Sequence, residues 1–278
     1  MFYELFKADL DLIETYLRSV MSFPDRRDLP QLTRFFGGLD YSVFSEGKRF
    51  RPLLAVLTAR SLGHAPERVL PLVAAVELVH TYSLIHDDLP CMDDDDYRRG
   101  KPTAHKVYGE ANALLAGDAL LTMAFGILAQ SPSSGAATAV SMLSNAAGPT
   151  GMVGGQVLDI ESEAPSLDLL KEIHARKTGR LIRVSCEAAA VLCQATVSQV
   201  QALGTFGEKL GLAFQLADDL QDFDENNPEK VSYVTTLGIP VTLQHLQDAG
   251  NEALKAIADF PIAAHDLREM VRLNFERV

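Results

Sequence analysis

The stretch RVLPLVAAVELVHTYSLIHDD, residues 68–88, decides the fold class. Val69, Leu72, Val73, Val76, Val79 and then Tyr82 or Ser83 return every three or four residues, which is the spacing of one face of an α-helix. The same period runs through LDLLKEIHARKTGRLIRVSCEAAAVL (167–192) and ALGTFGEKLGLAFQLADDLQDF (202–223). Ala, Leu, Glu, Lys and Gln are frequent, and nothing reads as a set of strands alternating with period two. Turn signals at SLGHAPER (61–68), SPSSG (131–135), EAPS (163–166) and ENNP (225–228) cut the chain into helical pieces. The expectation is one all-α domain over residues 1–278, built from about ten helices.

Composition agrees with a packed core and narrows the partners. Of the 278 residues 47% are hydrophobic and 22% charged, and no long stretch is rich in Gly, Ser or Pro, so no linker or disordered tail is expected. Cys91, Cys186 and Cys193 have no metal-like spacing, and such a sparse, odd set suits free thiols in a reducing compartment. The first 14 residues already carry Glu4, Asp9, Asp11 and Glu14, unlike a signal or transit peptide. No run reads as the roughly 20 consecutive apolar residues of a membrane span. A cytoplasmic location with no membrane insertion is expected. The net charge of −12 argues against nucleic acid, because phosphate backbones require a basic footprint. Acid this concentrated could instead serve metal ions.

The densest acid is in IHDDLPCMDDDDYRRGKPTAHK (85–106), where Asp87, Asp88, Asp93, Asp94, Asp95 and Asp96 fall within ten positions and Arg98 and Arg99 follow. Six like charges so close need neutralising, and carboxylate oxygens are the ligands that hard cations such as magnesium prefer. A solvated acidic loop would also carry such a run, but here the run ends a strongly apolar helix. A second acidic group ends another: in GLAFQLADDLQDF (211–223), Gly211, Gln215, Asp218 and Asp222 share a helix face, and Asp218 and Asp222 stand one turn apart. Asp87 and Asp93 are six residues apart, about 600° of regular helix, and Pro90 disturbs it. The LPCM segment must therefore bulge for Asp93 to return towards Asp87; without a bulge Asp94 would be the partner.

The basic counterpart is EGKRFRPLL (46–54), with Lys48, Arg49 and Arg51 ahead of a helix whose N-terminal amides also favour anions. Together with Arg98 and Arg99 it suggests two polyanionic ligands. His80 lies seven residues before Asp87 on the same helix face; a lone His in an apolar helix is more often a satisfied core residue, but here it would look into the same cavity as the aspartates. His174, Lys177 and Thr178 lie in EIHARKTGRLI beside Gly179, where Lys and Thr could contact phosphate or a cation, or simply face water.

In these elements the sequence resembles the trans-isoprenyl diphosphate synthases, most closely the bacterial farnesyl diphosphate synthases. The matching pieces run in order: GKRFRP (47–52), HTYSLIHDDLPCMDDDDYRRGKPTAHKVYGE (80–110), LLAGDALL (114–121), GMVGGQVLD (151–159), HARKTG (174–179) and GLAFQLADDLQD (211–222). The resemblance implies a bundle of helices around a deep central cavity and a homodimer. It implies three Mg2+ ions on an allylic diphosphate, with Asp87, Asp93 and Asp218 as ligands supported by Asp88, Asp219 and Asp222. Lys48, Arg51, His80 and Arg99 match the isopentenyl diphosphate site. Arg98, Lys177, Thr178 and Gln215 match the allylic diphosphate site and the groups facing the developing cation. Tyr82, five positions before the first motif, resembles the residue that limits product length in enzymes stopping at farnesyl diphosphate, and its neighbour Ser83 is too small to block. After DDLQDF the family has a longer loop with a Gly-Lys pair and a further Lys; here DENNPEKVSYV connects almost directly and Lys230 is the survivor. Other readings keep the metal chemistry: a geranylgeranyl diphosphate synthase, a weakly active partner subunit, or a class I terpene cyclase. The last binds one diphosphate and leaves the paired GKRFRP and RRG elements unexplained, and a plain acidic binding module leaves the basic groups unexplained.

Overall fold

The computed structural model describes residues 2–23, 29–162, 165–224 and 231–278. It is almost wholly helical, as the 3.6-residue periodicity requires. The chain divides into two compact units, one of residues 3–53 and 70–132 and the other essentially of 54–69 and 133–278.

The first unit contains α1 (Phe2–Leu5, less its first residue), α2 (Lys7–Val20), α3 (Pro30–Val43), the start of α4 (Phe50–Ser61), α5 (Leu70–Asp87), α6 (Ala104–Tyr108) and α7 (Glu110–Ala129). Helix α5 is apolar nearly all round, with Leu72, Val73, Val76, Leu78 and Val79 completely buried, and it packs on α7, α2 and α3. An all-round apolar helix is an interior helix. Close approach of α5 and α7 depends on Gly117, because a Cβ there would stand 2.0 Å from His86 Nε2. The His86 ring instead meets the Leu114 carbonyl at 3.0 Å.

The second unit contains the rest of α4, then α8 (Ala136–Ala147), α9 (Met152–Ile160), α10 (Leu167–His174), α11 (Arg180–Leu192), α12 (Val197–Gln221), α13 (Tyr233–Leu237), α14 (Ile239–Ala256) and α15 (His265–Phe275). Helix α12 is its axis and packs on α11 and α14. It starts on a capping box in which Thr196 and Gln199 each satisfy the other's backbone N–H. Near its other end a core gathers Leu170, Ala213, Leu216, Ala217, Tyr233, Leu246 and Ala249.

Three details depart from the sequence expectation. Three of the fifteen α-helical segments among the described residues, α1, α6 and α13, have only four or five residues, so a count of long amphipathic stretches falls short. A two-stranded hairpin, β1 (Tyr97–Arg98) and β2 (Lys101–Pro102), interrupts the helices. Its turn residues Arg99 and Gly100 have φ of 53° and 76°, the left-handed pair that a tight hairpin needs. Two helical stretches, Pro66–Asp87 and Glu110–Ala129, are long and apolar enough by length and composition to cross a bilayer, which corrects the expectation that no run is. The first is mostly buried, while α7 is only about one-third buried.

Candidate functional site

In the first unit, helix α5 delivers His80, Tyr82, Ser83 and Asp87 from successive turns and stops at Asp87. The chain then doubles back. The Leu89 N–H reaches the His86 carbonyl at 3.1 Å, and the Asp93 N–H reaches the Asp87 carbonyl at 2.9 Å. This six-residue return is the bulge that Pro90 and the spacing demanded, and it brings Asp93 back beside Asp87. Asp94 follows in left-handed conformation, with φ of 52°. Asp87 is half-buried and Asp93 exposed. Asp88 is buried and accepts a hydrogen bond from Arg98 Nε at 2.6 Å, and the same guanidinium spans to Asp95 at 3.3 Å. Burial raises the Asp88 carboxyl pKa, and Arg98 opposes it. The donors offered by Asp87 and Asp93 are all carboxylate oxygen, which fits a hard divalent cation.

The hairpin carries Arg98 on β1 and Arg99 on its turn, where Arg99 Nη1 donates to the Glu46 carbonyl at 2.6 Å. A small cleft beside it is lined by Thr81, Asp88, Arg98, Arg99 and Lys101. Of the three cations in GKRFRP, Arg49 turns inward. Its buried guanidinium bonds Glu14 at 2.6 Å, Glu77, and the Val43 carbonyl at 2.8 Å. Burial works against its charge, but the two carboxylates outweigh it and raise its pKa. Arg49, with φ of 48°, is thereby a structural ion, which corrects its expected place among the phosphate-facing cations. Lys48 is exposed and Arg51 half-buried in the first turn of α4.

His80 stands among these cations. Burial first, and then the charges of Arg51, Arg99, Arg98 and Arg49, depress its pKa well below the ordinary histidine range, so the ring is neutral at pH 7. The unfolded chain takes up that proton near pH 6.5. The stability gained by keeping the ring neutral is present above about pH 6.5 and is lost as the pH falls from there. The urea midpoint should therefore drop between about pH 6.5 and 5, and His80→Gln should flatten the drop. An identical pH dependence in both proteins would place its origin elsewhere.

In the second unit, Lys177 and Thr178 lie in a π-helical turn, Ala175–Gly179, between α10 and α11. Such single turns are rare and collect at functional sites. Gly155 of α9 makes room for this turn, since a Cβ there would stand 2.4 Å from the Lys177 backbone nitrogen. Lys177 Nζ is 2.6 Å from Asp159 Oδ2. At the end of α12, Asp219 accepts from Gln215 Nε2 at 3.0 Å and from the Tyr233 backbone N–H at 2.9 Å. Asp222 caps the helix, its N–H on the Asp218 carbonyl at 2.9 Å. Gln215 also lines a groove of about 370 Å3 together with Arg176, Arg180, Arg183 and Leu212, and Lys177 and Thr178 are not on that groove.

One residue escaped the sequence reading. The Arg277 guanidinium bonds Asp218, lies 2.8 Å from Gln221 Oε1 and stacks 4.5 Å from the Phe214 ring centroid. Its distance in sequence from DDLQD left no local signal. Lys230 lies outside the described residues.

The chain matches the polyprenyl synthetase family over residues 34–232. The chain belongs to the polyprenyl synthetase family. It is 40% identical to the farnesyl diphosphate synthase of Micrococcus luteus over 89% of this chain and 91% of that one. It is 42% identical to the farnesyl diphosphate synthase of Bacillus subtilis over 80% and 76% of the two chains. Among solved structures, an FPP/GFPP synthase from Zymomonas mobilis superposes with a TM-score of 0.89 at 32% identity, covering 98% of each chain. Polyprenyl synthetases use a divalent metal and take isopentenyl and allylic diphosphates as substrates.

Proposed function

We propose that this polyprenyl synthetase is a (2E,6E)-farnesyl diphosphate synthase, a prenyltransferase that condenses isopentenyl diphosphate with dimethylallyl and then geranyl diphosphate. The observation that carries this reading is the return of Asp93 onto Asp87 at the end of a helix whose buried Tyr82 lies five residues earlier. Asp87, Asp93 and Asp218 would hold the three Mg2+ ions of the reaction, with Asp88, Asp219 and Asp222 supporting them. When bound, magnesium neutralises the charge that builds on the departing pyrophosphate.

The side chains do the rest. Lys48, Arg51 and Arg99 hold the diphosphate of isopentenyl diphosphate by charge-assisted hydrogen bonds, and neutral His80 adds one N–H donor. Arg98 and Lys177 bind the allylic diphosphate, exchanging their contacts with Asp88 and Asp159 for phosphate oxygens. As the allylic C–O bond breaks, the Thr178 hydroxyl and Gln215 carbonyl oxygens face the developing cation. The isopentenyl double bond attacks it, the new C–C bond forms, and a proton leaves to the released pyrophosphate. No side-chain nucleophile is needed, and apolar walls protect the cation from water. Lys230 is the remaining candidate for closing over the diphosphate.

A homodimer fits α7, which leaves Leu114 and Leu115 about half exposed on a helix apolar enough to prefer a partner surface. A cytoplasmic location fits the water-soluble substrates.

The reading is tested by incubating the protein with isopentenyl diphosphate, each allylic primer and Mg2+, and sizing the products. A C15 main product supports it. A C20 main product replaces it by geranylgeranyl synthesis, and no product points to a partner subunit. Lys48→Ala and Arg51→Ala should raise KM for isopentenyl diphosphate about tenfold or more, with little change for the allylic primer. Equal effects on both substrates would mean that the two diphosphate sites are assigned the wrong way round.

A further inference from the structure

We propose that Asp94, Asp96 and His105 form a site for a divalent ion of the zinc class, separate from the carboxylates assigned to magnesium. One potential ligand atom from each of the three lies within 4.8 Å of the others. Ligands on a tetrahedral zinc at about 2.0–2.2 Å stand within about 3.5 Å of one another, so modest side-chain rotation closes the set. Both aspartates are exposed and have room to make it.

Acidic residues alone would prove nothing here, and His105 is what singles out the cluster. Its side chain belongs to a residue only 5% exposed, yet its Nε2 has no hydrogen-bond partner. A buried ring nitrogen without a partner is costly in a finished structure. The other ring nitrogen fixes the chemistry of the first. His105 Nδ1 lies 3.1 Å from Thr103 Oγ1, and that hydroxyl directs its own single proton to the Asp95 carbonyl at 2.8 Å. The contact between the two side chains must then use a proton on Nδ1, with the hydroxyl oxygen accepting. A neutral imidazole protonated at Nδ1 presents a lone pair at Nε2. Metal-bound histidines are held in this way, with the far N–H donated to an oxygen that sets the tautomer and the ring angle.

The donor set also selects the ion. Magnesium takes oxygen and keeps much of its water, whereas one imidazole and two carboxylates suit a borderline ion such as Zn2+. Lys106 Nζ stands 2.5 Å from Asp96 Oδ1, which neutralises one oxygen of that carboxylate and leaves Oδ2. Asp94 and Asp96 precede the hairpin and His105 follows it in α6, and the Thr103 N–H already ties the two sides through the Asp96 carbonyl at 3.0 Å. An ion here would staple the base of the loop that carries Arg98 and Arg99. The site itself does not depend on the farnesyl reading; only the consequence for those two arginines does.

The test uses the full chain, stripped of metal and free of diphosphate, titrated with Co2+ as a spectroscopic stand-in for Zn2+. The expected result is one equivalent of Co2+ bound with a visible ligand-field band, displaced by stoichiometric Zn2+ but not by millimolar Mg2+. His105→Gln should abolish the band and Asp96→Asn should weaken binding about tenfold or more, while Asp87→Asn leaves both unchanged. The exposed Asp96 decides the matter if the buried His105 variant fails to fold. The proposal is overturned if no such band forms, if Asp96→Asn binds Co2+ like the parent protein, or if Asp87→Asn removes the band, which would put the ion on the magnesium carboxylates.

Discussion

Asp87→Ala and Asp218→Ala should each lower kcat by about a thousandfold or more at saturating Mg2+ while leaving a folded protein. Ionisation of an allylic diphosphate places new negative charge on pyrophosphate, and a carboxylate that holds a divalent ion there acts on the transition state more than on the ground state. A loss of about 4 kcal/mol of that stabilisation corresponds to a factor of 10³. The two variants should differ in stability. Removing the Asp87 charge relieves repulsion in a segment crowded with acid. Removing Asp218 deprives Arg277 of its carboxylate, a partly exposed pair worth about 1 kcal/mol or less. Thermal melts should therefore show the Asp87 variant at or above the parent protein and the Asp218 variant slightly below. Full turnover in either variant would remove that aspartate from the metal site, and collapse of the melt would make its activity uninformative.

The second large effect is on product length. Tyr82 is 6% exposed and meets His86 edge-on at 5.7 Å, while burial and the Asp87 charge raise its pKa and keep the phenol neutral. At 1.5 Å per residue its Cα stands about 7–8 Å along the helix from Asp87, where the tail of a growing chain would end. Tyr82→Ala should move the main product from C15 to C20 or longer, at a cost of about 2–4 kcal/mol in stability for the lost ring. Tyr82→Phe keeps the ring and should keep C15. If Tyr82→Ala still stops at C15, the ring is a packing residue and the length is set elsewhere.

What could be read from the chain was whatever is local. The period of α5, the two acidic helix ends and the bulge between Asp87 and Asp93 all follow from spacing and from Pro90. The hairpin at 97–102 was missed because its strands have two residues each and its turn is Arg-Gly rather than Asn-Gly. The inward turn of Arg49 was hidden because its partners Glu14 and Glu77 lie 35 and 28 residues away. Arg277 is 59 residues from Asp218, and nothing in its own neighbourhood marks it. His105 was read only as part of a motif, since the burial of its Nε2 exists only once the chain is folded.

The π-helical turn at Ala175–Gly179 has a consequence for how this chain can be altered. A π turn is one residue longer than the α turn it replaces. Deleting a single residue from it would leave a regular α turn, and because the surplus residue is the one removed, α11 would keep nearly its orientation against α10. A deletion inside α11 has no such slack and would rotate everything after it by about 100°. Lost in the first turn of α11, one residue would swing Arg183 away from Glu208 of α12. In a library of random variants, single deletions should therefore leave a folded protein more often at 175–179 than in the first turns of α11.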